Sequence, residues 1–183
     1  MRWIRDDDFI RGKTPMTKFA VRAVTMALLD ITPGDVLLDI GAGTGSIAIQ
    51  AALLGANIYA VEESEEGIDL IQQNAKKFQV EIHILHGSAP EKIQDAPEFT
   101  KCFIGGSKGK LEQIVANVDA RLNPGGRLAA NFIRLENTVT FRQLLQQYGY
   151  IQIESRLLHT VEVDHLGLLR GQNPVCLIGG QKA

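Results

Sequence analysis

Apolar residues fall in short runs separated by segments with helical spacing. Val36-Leu37-Leu38-Asp39-Ile40, Ile58-Tyr59-Ala60-Val61-Glu62 and Ile82-His83-Ile84-Leu85-His86 read as strands. Between them, the small-residue stretch Thr44 to Leu54 stops at Gly55, and Ser64 to Phe78 opens with an N-capping serine and a charged first turn. Both read as crossover helices, and strands alternating with helices predict a parallel sheet. The rhythm continues with a fourth strand at Lys101 to Ile104, a helix at Lys110 to Leu122, and a fifth strand at Gly126 to Ile133 after the turn Asn123-Pro124-Gly125-Gly126. After a helix at Asn137 to Tyr148, two strand-like runs, Tyr150 to Val163 and Pro174 to Gly180, flank a loop near Gly167 and Gly171 and predict a closing antiparallel hairpin. No repeat or low-complexity linker interrupts the pattern. Residues 1–183 are expected to form one domain, with residues 1–33 supplying an N-terminal segment and a first helix.

Composition narrows the function classes. A chain of 183 residues, 45% hydrophobic, builds a full core without structural metals or disulfides. Lys and Arg total 19 against 21 for Asp and Glu, for a net charge of -2, so no basic footprint for nucleic acid is present. No apolar run approaches the roughly 20 residues of a membrane span. The opening Met1-Arg2-Trp3-Ile4-Arg5-Asp6-Asp7-Asp8 is too charged for a secretory segment, so a cytoplasmic protein is expected. Cys102 and Cys176 lie in strand-like runs without CxxC spacing and read as small packed hydrophobes. His83 and His86 read as structural, and His159 and His165 lack the clustered carboxylates of a metal site.

The chemistry concentrates where the first strand turns into a helix, at Asp39-Ile40-Gly41-Ala42-Gly43-Thr44-Gly45-Ser46. A turn that only connects strand to helix needs one glycine. Three allow the backbone to approach a ligand beside the free N–H donors of a helix start. Glu62, about 20 residues on at the end of the second strand, is placed to accept from the hydroxyls of a ribose. The spacing is GxGxG, and Ser46 stands where a dinucleotide fingerprint asks for its third glycine, which favours S-adenosylmethionine over NAD. In that reading Asp39 lies near the methionine ammonium, Gly41 to Gly45 skirt the amino acid and ribose, and Glu62 holds the ribose. Gly87-Ser88-Ala89-Pro90 follows the third strand, where an adenine-contacting loop belongs.

The chain resembles the class I methyltransferases, and within them the CbiT-type precorrin C15-methyltransferases of cobalamin biosynthesis. The glycine loop carries the broad likeness. Asp8-Phe9-Ile10-Arg11, Met16-Thr17-Lys18 with Val21-Arg22-Ala23, Gly105-Gly106-Ser107, Leu135-Glu136-Asn137 and Asn173-Pro174-Val175 carry the narrower one. The resemblance implies an α/β, Rossmann-like class I methyltransferase fold: a mostly parallel seven-stranded sheet with an antiparallel C-terminal hairpin and helices on both faces. It implies methyl transfer from S-adenosylmethionine to C15 of cobalt-precorrin-6B, with loss of the C12 acetate carboxyl as carbon dioxide, giving cobalt-precorrin-7. No separate metal site, nucleic acid or membrane is implied. Relatives commonly assemble as homotetramers, for which the strands around Tyr150 to Leu158 and Val161 to Leu169 offer a contact surface. Some relatives are fused to a C5-methyltransferase, an activity expected here in a separate protein. Ser88 departs from the acidic residue that relatives often carry for the adenine amino group; a hydroxyl still accepts, without charge.

On this reading the cofactor-binding residues are Thr17, Asp39, Gly41, Ala42, Gly43, Thr44, Gly45, Glu62, Ser88 and Ala89. Thr17 either caps the first helix or contacts the cofactor, and the family pattern favours contact. Gly105, Gly106 and Ser107 are expected to wall the substrate near the methyl group, where a planar ring can approach a nearly bare backbone. Arg11, Lys18, Arg22 and Arg134, with Lys13 and Lys108, are the candidate cations for the carboxylates of a tetrapyrrole. Glu136 either orients substrate or caps the next helix. No catalytic base is assigned, because an in-line transfer from a sulfonium draws on alignment and desolvation. Two alternatives stand beside this reading: a methyltransferase of another small molecule or of tRNA, and a non-catalytic subunit that binds S-adenosylmethionine. The sequence Phe103-Ile104-Gly105-Gly106-Ser107 lacks the Asn/Asp-Pro-Pro-Tyr common in N-methylating enzymes, which disfavours tRNA.

Overall fold

The computed structural model describes residues 3–183; Met1 and Arg2, the first residues of the charged N-terminus, lie outside the described residues. Seven strands form one sheet: β1 (Val36–Ile40), β2 (Asn57–Glu62), β3 (His83–His86), β4 (Phe99–Ile104), β5 (Leu122–Phe132), β6 (Ile151–Leu158) and β9 (Val175–Gln181). Their order is β3-β2-β1-β4-β5-β9-β6. The β3-to-β5 pairings are parallel, and β9 runs antiparallel to both β5 and β6. A late strand thus slips between two earlier ones, as the expected closing hairpin requires.

Successive residues face opposite layers. Leu37, Phe103, Ala129 and Leu177 pack with α1 (Phe19–Leu29) and α2 (Ser46–Leu53). Leu38, Cys102, Leu128 and Ile178 pack with α4 (Leu111–Arg121) and α5 (Leu135–Gln147). Burial on both faces explains why these strands read as continuous apolar runs rather than alternating ones. The second crossover, α3 (Glu65–Phe78), begins at Ser64, whose hydroxyl accepts from Gly67 N at 3.1 Å, as its sequence predicts.

Element ends shift by a residue or two from the sequence reading, and three features call for a physical reason. β5 starts at Leu122, before the Asn-Pro-Gly-Gly turn. Phe99 pairs with Leu122 but Lys101 with Arg127, so the turn is absorbed as a bulge within the strand. The run Tyr150 to Val163 is not one strand. Leu158 pairs with Val175, and the next partner on that ladder is Pro174, which has no N–H to give. The chain therefore leaves the sheet at His159, and β7 (Val161–Val163) with β8 (Leu169–Gly171) forms a separate two-stranded ribbon. Third, of the two roles open to Thr17 the structure removes the less favoured, since Thr17 does not cap α1. The N-cap position is Lys18, and the free helical N–H of Phe19 is taken by Asp6 Oδ2 at 3.1 Å.

The parallel strands all end on one side, so the loops following β1, β2, β3, β4 and β5 share a rim. Open α/β sheets bind their ligands there.

Candidate active site

The loop after β1 is held by its neighbours. Gly41 N and Ala42 N donate to Val61 O at 2.9 and 3.2 Å, which ties the glycine loop to β2. Gly41 has φ +71° and Gly43 φ +58°, the left-handed region that side chains disfavour. Sterics agree: a Cβ on Gly41 would meet Gly106 N at 3.0 Å, and one on Gly43 would meet Pro15 O at 3.3 Å. The loop is thus pressed between the N-terminal segment and the chain following β4.

Glu62 completes this arrangement. Its Oε2 accepts from Gly43 N at 2.9 Å. Its Oε1 accepts from Glu63 N at 3.1 Å, Ser64 N at 2.9 Å and Ser64 Oγ at 2.8 Å. One carboxylate therefore ties the glycine loop to the start of α3. Oε2, with a single partner, keeps acceptor capacity.

Asp39 lies on the other side of the loop and is almost fully buried. Oδ2 accepts from Ala48 N at 3.1 Å, in the first turn of α2, whereas Oδ1 has no partner. Burial pushes its carboxyl up to about 7; the Ala48 bond works against that shift and the Glu62 charge adds to it. An unpartnered oxygen on a buried acid is a ready acceptor for a cation.

Two cavities flank Gly41. The larger, about 290 Å³, is lined by Asp39, Gly41, Thr17, Lys18, Phe103 and Asn131 among others. The smaller, about 150 Å³, is lined by Gly41, Glu62, Ser88, Ala89, Gly106 and Ile114 among others. A ligand lying across Gly41 would meet the orphaned acid at one end and the ribose-type acceptor at the other. That pair of acceptors fits S-adenosylmethionine, whose ammonium and ribose hydroxyls are donors, with the ammonium by Asp39 and the ribose by Glu62.

Of the residues singled out in the sequence, Thr17, Asp39, Gly41 and Ala42 line the larger cavity, and Glu62, Ser88 and Ala89 the smaller. Gly43, Thr44 and Gly45 line neither and shape the loop beneath. Ser88 Oγ donates to Glu91 Oε2 at 2.9 Å. Gly105 lines the larger cavity, and Gly106 and Ser107 the smaller; a Cβ on Gly105 would meet Gly41 O at 3.0 Å, whereas one on Gly106 would point into open space.

The candidate cations separate. Lys18 lines the larger cavity, Lys108 lines the smaller beside Glu63, and Arg134 opens onto a third hollow of about 150 Å³ with Asn137. Arg11 pairs with Asp7 at 3.0 Å and lines none of these, nor does Lys13. Arg22 is a correction to the sequence reading. It is fully buried, donates to Ile4 O at 2.6 Å and Thr17 O at 2.7 Å, pairs with Asp6, and stacks 4.9 Å from the Phe9 ring. Its guanidinium pins the N-terminal segment onto α1 rather than facing a ligand. Glu136 sits exposed in the first turn of α5, where a negative charge suits the helix dipole. His83 stacks on Tyr59 at 4.7 Å.

Residues the sequence reading passed over also line the larger cavity: Asn131 at the end of β5, and Thr160 and Gln172 at the base of the ribbon. Asn131 carried a legible signal, a lone amide in the apolar run Leu128-Ala129-Ala130-Asn131-Phe132 at a strand's carboxyl end.

Comparison with known proteins follows this geometry. A family model described as "Precorrin methyltransferase domain" matches residues 8–179. A protein of Saccharolobus solfataricus named "probable cobalt-precorrin-6B C(15)-methyltransferase (decarboxylating)" is 33% identical, covering 98% of this chain and 95% of that protein. The Salmonella typhimurium protein named "cobalt-precorrin-6B C(15)-methyltransferase (decarboxylating)" is 34% identical over 98% of this chain and 96% of its own. A solved structure of precorrin-6y C5,15-methyltransferase from Geobacter metallireducens superposes with a TM-score of 0.93 at 33% identity, covering 99% of this chain and 97% of that one. The expected Rossmann-like methyltransferase fold is therefore present, and the chain belongs to the precorrin methyltransferase family.

Proposed function

We propose that the protein transfers a methyl group from S-adenosylmethionine to C15 of cobalt-precorrin-6B and releases the C12 acetate carboxyl as carbon dioxide, giving cobalt-precorrin-7. The observation that carries the cofactor half is the pairing of Asp39, with its unpartnered Oδ1, and Glu62 across the Gly41 ridge. The substrate half is supported by the names of full-length relatives and by a cleft that continues past the ridge toward Lys18 and Arg134.

When bound, the cofactor supplies a methyl group on a sulfonium that departs as a neutral thioether. The chain's own residues do the rest. Asp39 Oδ1 would accept from the ammonium, and Glu62 Oε2 would accept from the ribose, while its other oxygen keeps α3 in place. Ile40, Val61 and Ile114 line the smaller cavity and give the adenine an apolar seat beside Ser88 and Ala89. Gly105 and Gly106 offer bare backbone to a flat ring, and Val21 and Phe103 keep water from the reacting carbons. Lys18 and Arg134 meet retained carboxylates.

The test is turnover: radiolabelled methyl incorporation into cobalt-precorrin-6B, with carbon dioxide measured in the same vessel. One carbon dioxide per methyl is expected. Cofactor binding without transfer to the tetrapyrrole overturns the reading and leaves a non-catalytic binding subunit.

The chain is also read as a cytoplasmic homotetramer. No helix of the described residues is long and apolar enough to cross a membrane. β6 is one of the sheet's two edge strands, and Leu157, Val163, Leu166 and Leu169 stand exposed on it and on the ribbon, a surface that a second copy can cover. Light scattering that gives a monomer mass overturns the assembly.

A further inference from the structure

Among the described residues, the wall of the larger cavity formed by the ends of β4, β5, β6 and β9 carries no charged side chain. Along β5, Leu128, Ala130 and Phe132 pack under α4 and α5, while Ala129 faces α1 and α2. Asn131 falls on the Ala129 side. Parallel register aligns Asp39 with Phe103 and Phe103 with Ala129. Asn131 therefore stands one pleat further toward the carboxyl end, on the face that Asp39 and Phe103 share, and all three line the same cavity. It also lines the third hollow, with Gly105, Arg134 and Asn137, so its carboxamide marks the junction of the two. Among the described residues no hydrogen bond engages that carboxamide. Phe103, Ile133, Leu158 and Val175 line the same cavity together with the neutral polar Thr160, Gln172 and Asn173, and the cavity's charged lining groups are Lys18, from the segment before α1, and Asp39.

This distribution bears on which carboxylate goes where. Losing carbon dioxide requires the C–C bond to the carboxyl to break and its electron pair to enter the conjugated macrocycle. An electron pair of the same system forms the new bond at C15. The proton C15 gives up matches the one the new C12 methyl takes, and the carboxylate's negative charge cancels the donor's positive charge, so no oxidant or reductant is needed. A lysine or arginine on that carboxylate would stabilise it more before the bond breaks than after, and so slow the step. A neutral amide on an uncharged wall fixes its direction without supplying a counter-ion.

We propose that Asn131 holds the acetate carboxylate that is lost, donating its amide N–H to one oxygen at a wall that carries no charged group, while Lys18 and Arg134 take carboxylates that the product retains. The inference rests on the decarboxylating methyl transfer proposed above. It assigns the two kinds of carboxylate to two kinds of surface.

The test compares wild type, Asn131→Ala and Asn131→Lys in the full chain, with cobalt-precorrin-6B as substrate. Carbon dioxide and methyl transfer are followed in parallel, and thermal midpoint serves as the folding control. Asn131→Ala is expected to slow both products roughly tenfold or more. Its affinity for S-adenosylhomocysteine should stay within about twofold of wild type. Asn131→Lys installs the counter-ion and is expected to lower KM while lowering kcat for carbon dioxide, a split that a merely structural role would not produce. Undiminished carbon dioxide release by Asn131→Ala, or faster release by Asn131→Lys, overturns the inference and leaves the functional reading intact. A wild type that yields neither product overturns both.

Discussion

Replacing Glu62 with Gln changes one oxygen to an amide and separates two jobs that one carboxylate performs. With its carbonyl kept toward the start of α3, the new side chain still accepts from Glu63 N, Ser64 N and Ser64 Oγ. Its NH2 then faces Gly43 N, which donated to Oε2 at 2.9 Å, and two donors oppose each other. One hydrogen bond to a charged acceptor is lost in a nearly buried site, worth about 1.5–3 kcal/mol. For a chain of this size that lowers the thermal midpoint by roughly 3–12 °C. The same oxygen is assigned to the ribose, so affinity for S-adenosylhomocysteine should fall by a further factor of about 10–100 in calorimetric titration. An unchanged midpoint would refute the bond between Glu62 and the glycine loop. A lowered midpoint with unchanged affinity would refute the ribose assignment and keep Glu62 as a purely structural tie.

The Asp39 carboxyl, held up at about 7 by burial, keeps a proton in the folded state that the unfolded chain releases near its ordinary value of about 4. Stability should therefore fall as pH rises through that window. Asp39→Asn should flatten this slope and raise stability at pH 8 by roughly 1–3 kcal/mol in thermal melts. It should also weaken S-adenosylhomocysteine binding, and wild-type affinity should decline below pH 7 as the acid protonates; pH-independent binding would refute the ammonium contact. Arg22→Met leaves two carbonyls and Asp6 without their cation, and chemical denaturation should show a loss of about 3–5 kcal/mol. A normal melt with a raised KM would instead return Arg22 to the substrate. Gly43→Ala forces a side chain into the left-handed region and against Pro15 O, and should cost about 1–2 kcal/mol in the same melts.

What the sequence made legible was local. The strand, glycine loop and helix at 36–54 are specified by neighbours in the chain, and Glu62 follows at a spacing fixed by one crossover. What it hid was supplied from a distance. The cap of α1 is Asp6, thirteen residues upstream of Phe19 across a turn, so the sequence near the helix start left open whether Thr17, the nearest hydroxyl, caps it or contacts the cofactor. The Asn-Pro-Gly-Gly turn is where β5 bulges, because the pairing that continues on either side of it comes from β4. The ribbon leaves the sheet because Pro174 faces the end of a strand that lies before it in the chain.

Arg22 shows the same limit from the other side. Its charge suggested a carboxylate ligand, yet it falls on the buried stripe of α1 with Thr25, Met26 and Leu29. An arginine in phase with an apolar stripe must be met by acceptors brought from elsewhere, here Ile4 O, Thr17 O and Asp6. Asn131 is the converse: an ordinary amide in sequence, it gains chemical meaning from the company of Phe103, Leu158 and Val175, contributed by three other strands. Charge alone is thus a poor guide to this cleft. For a reaction that must expel a carboxylate, the informative positions are those where the fold gathers a polar side chain and withholds the cation.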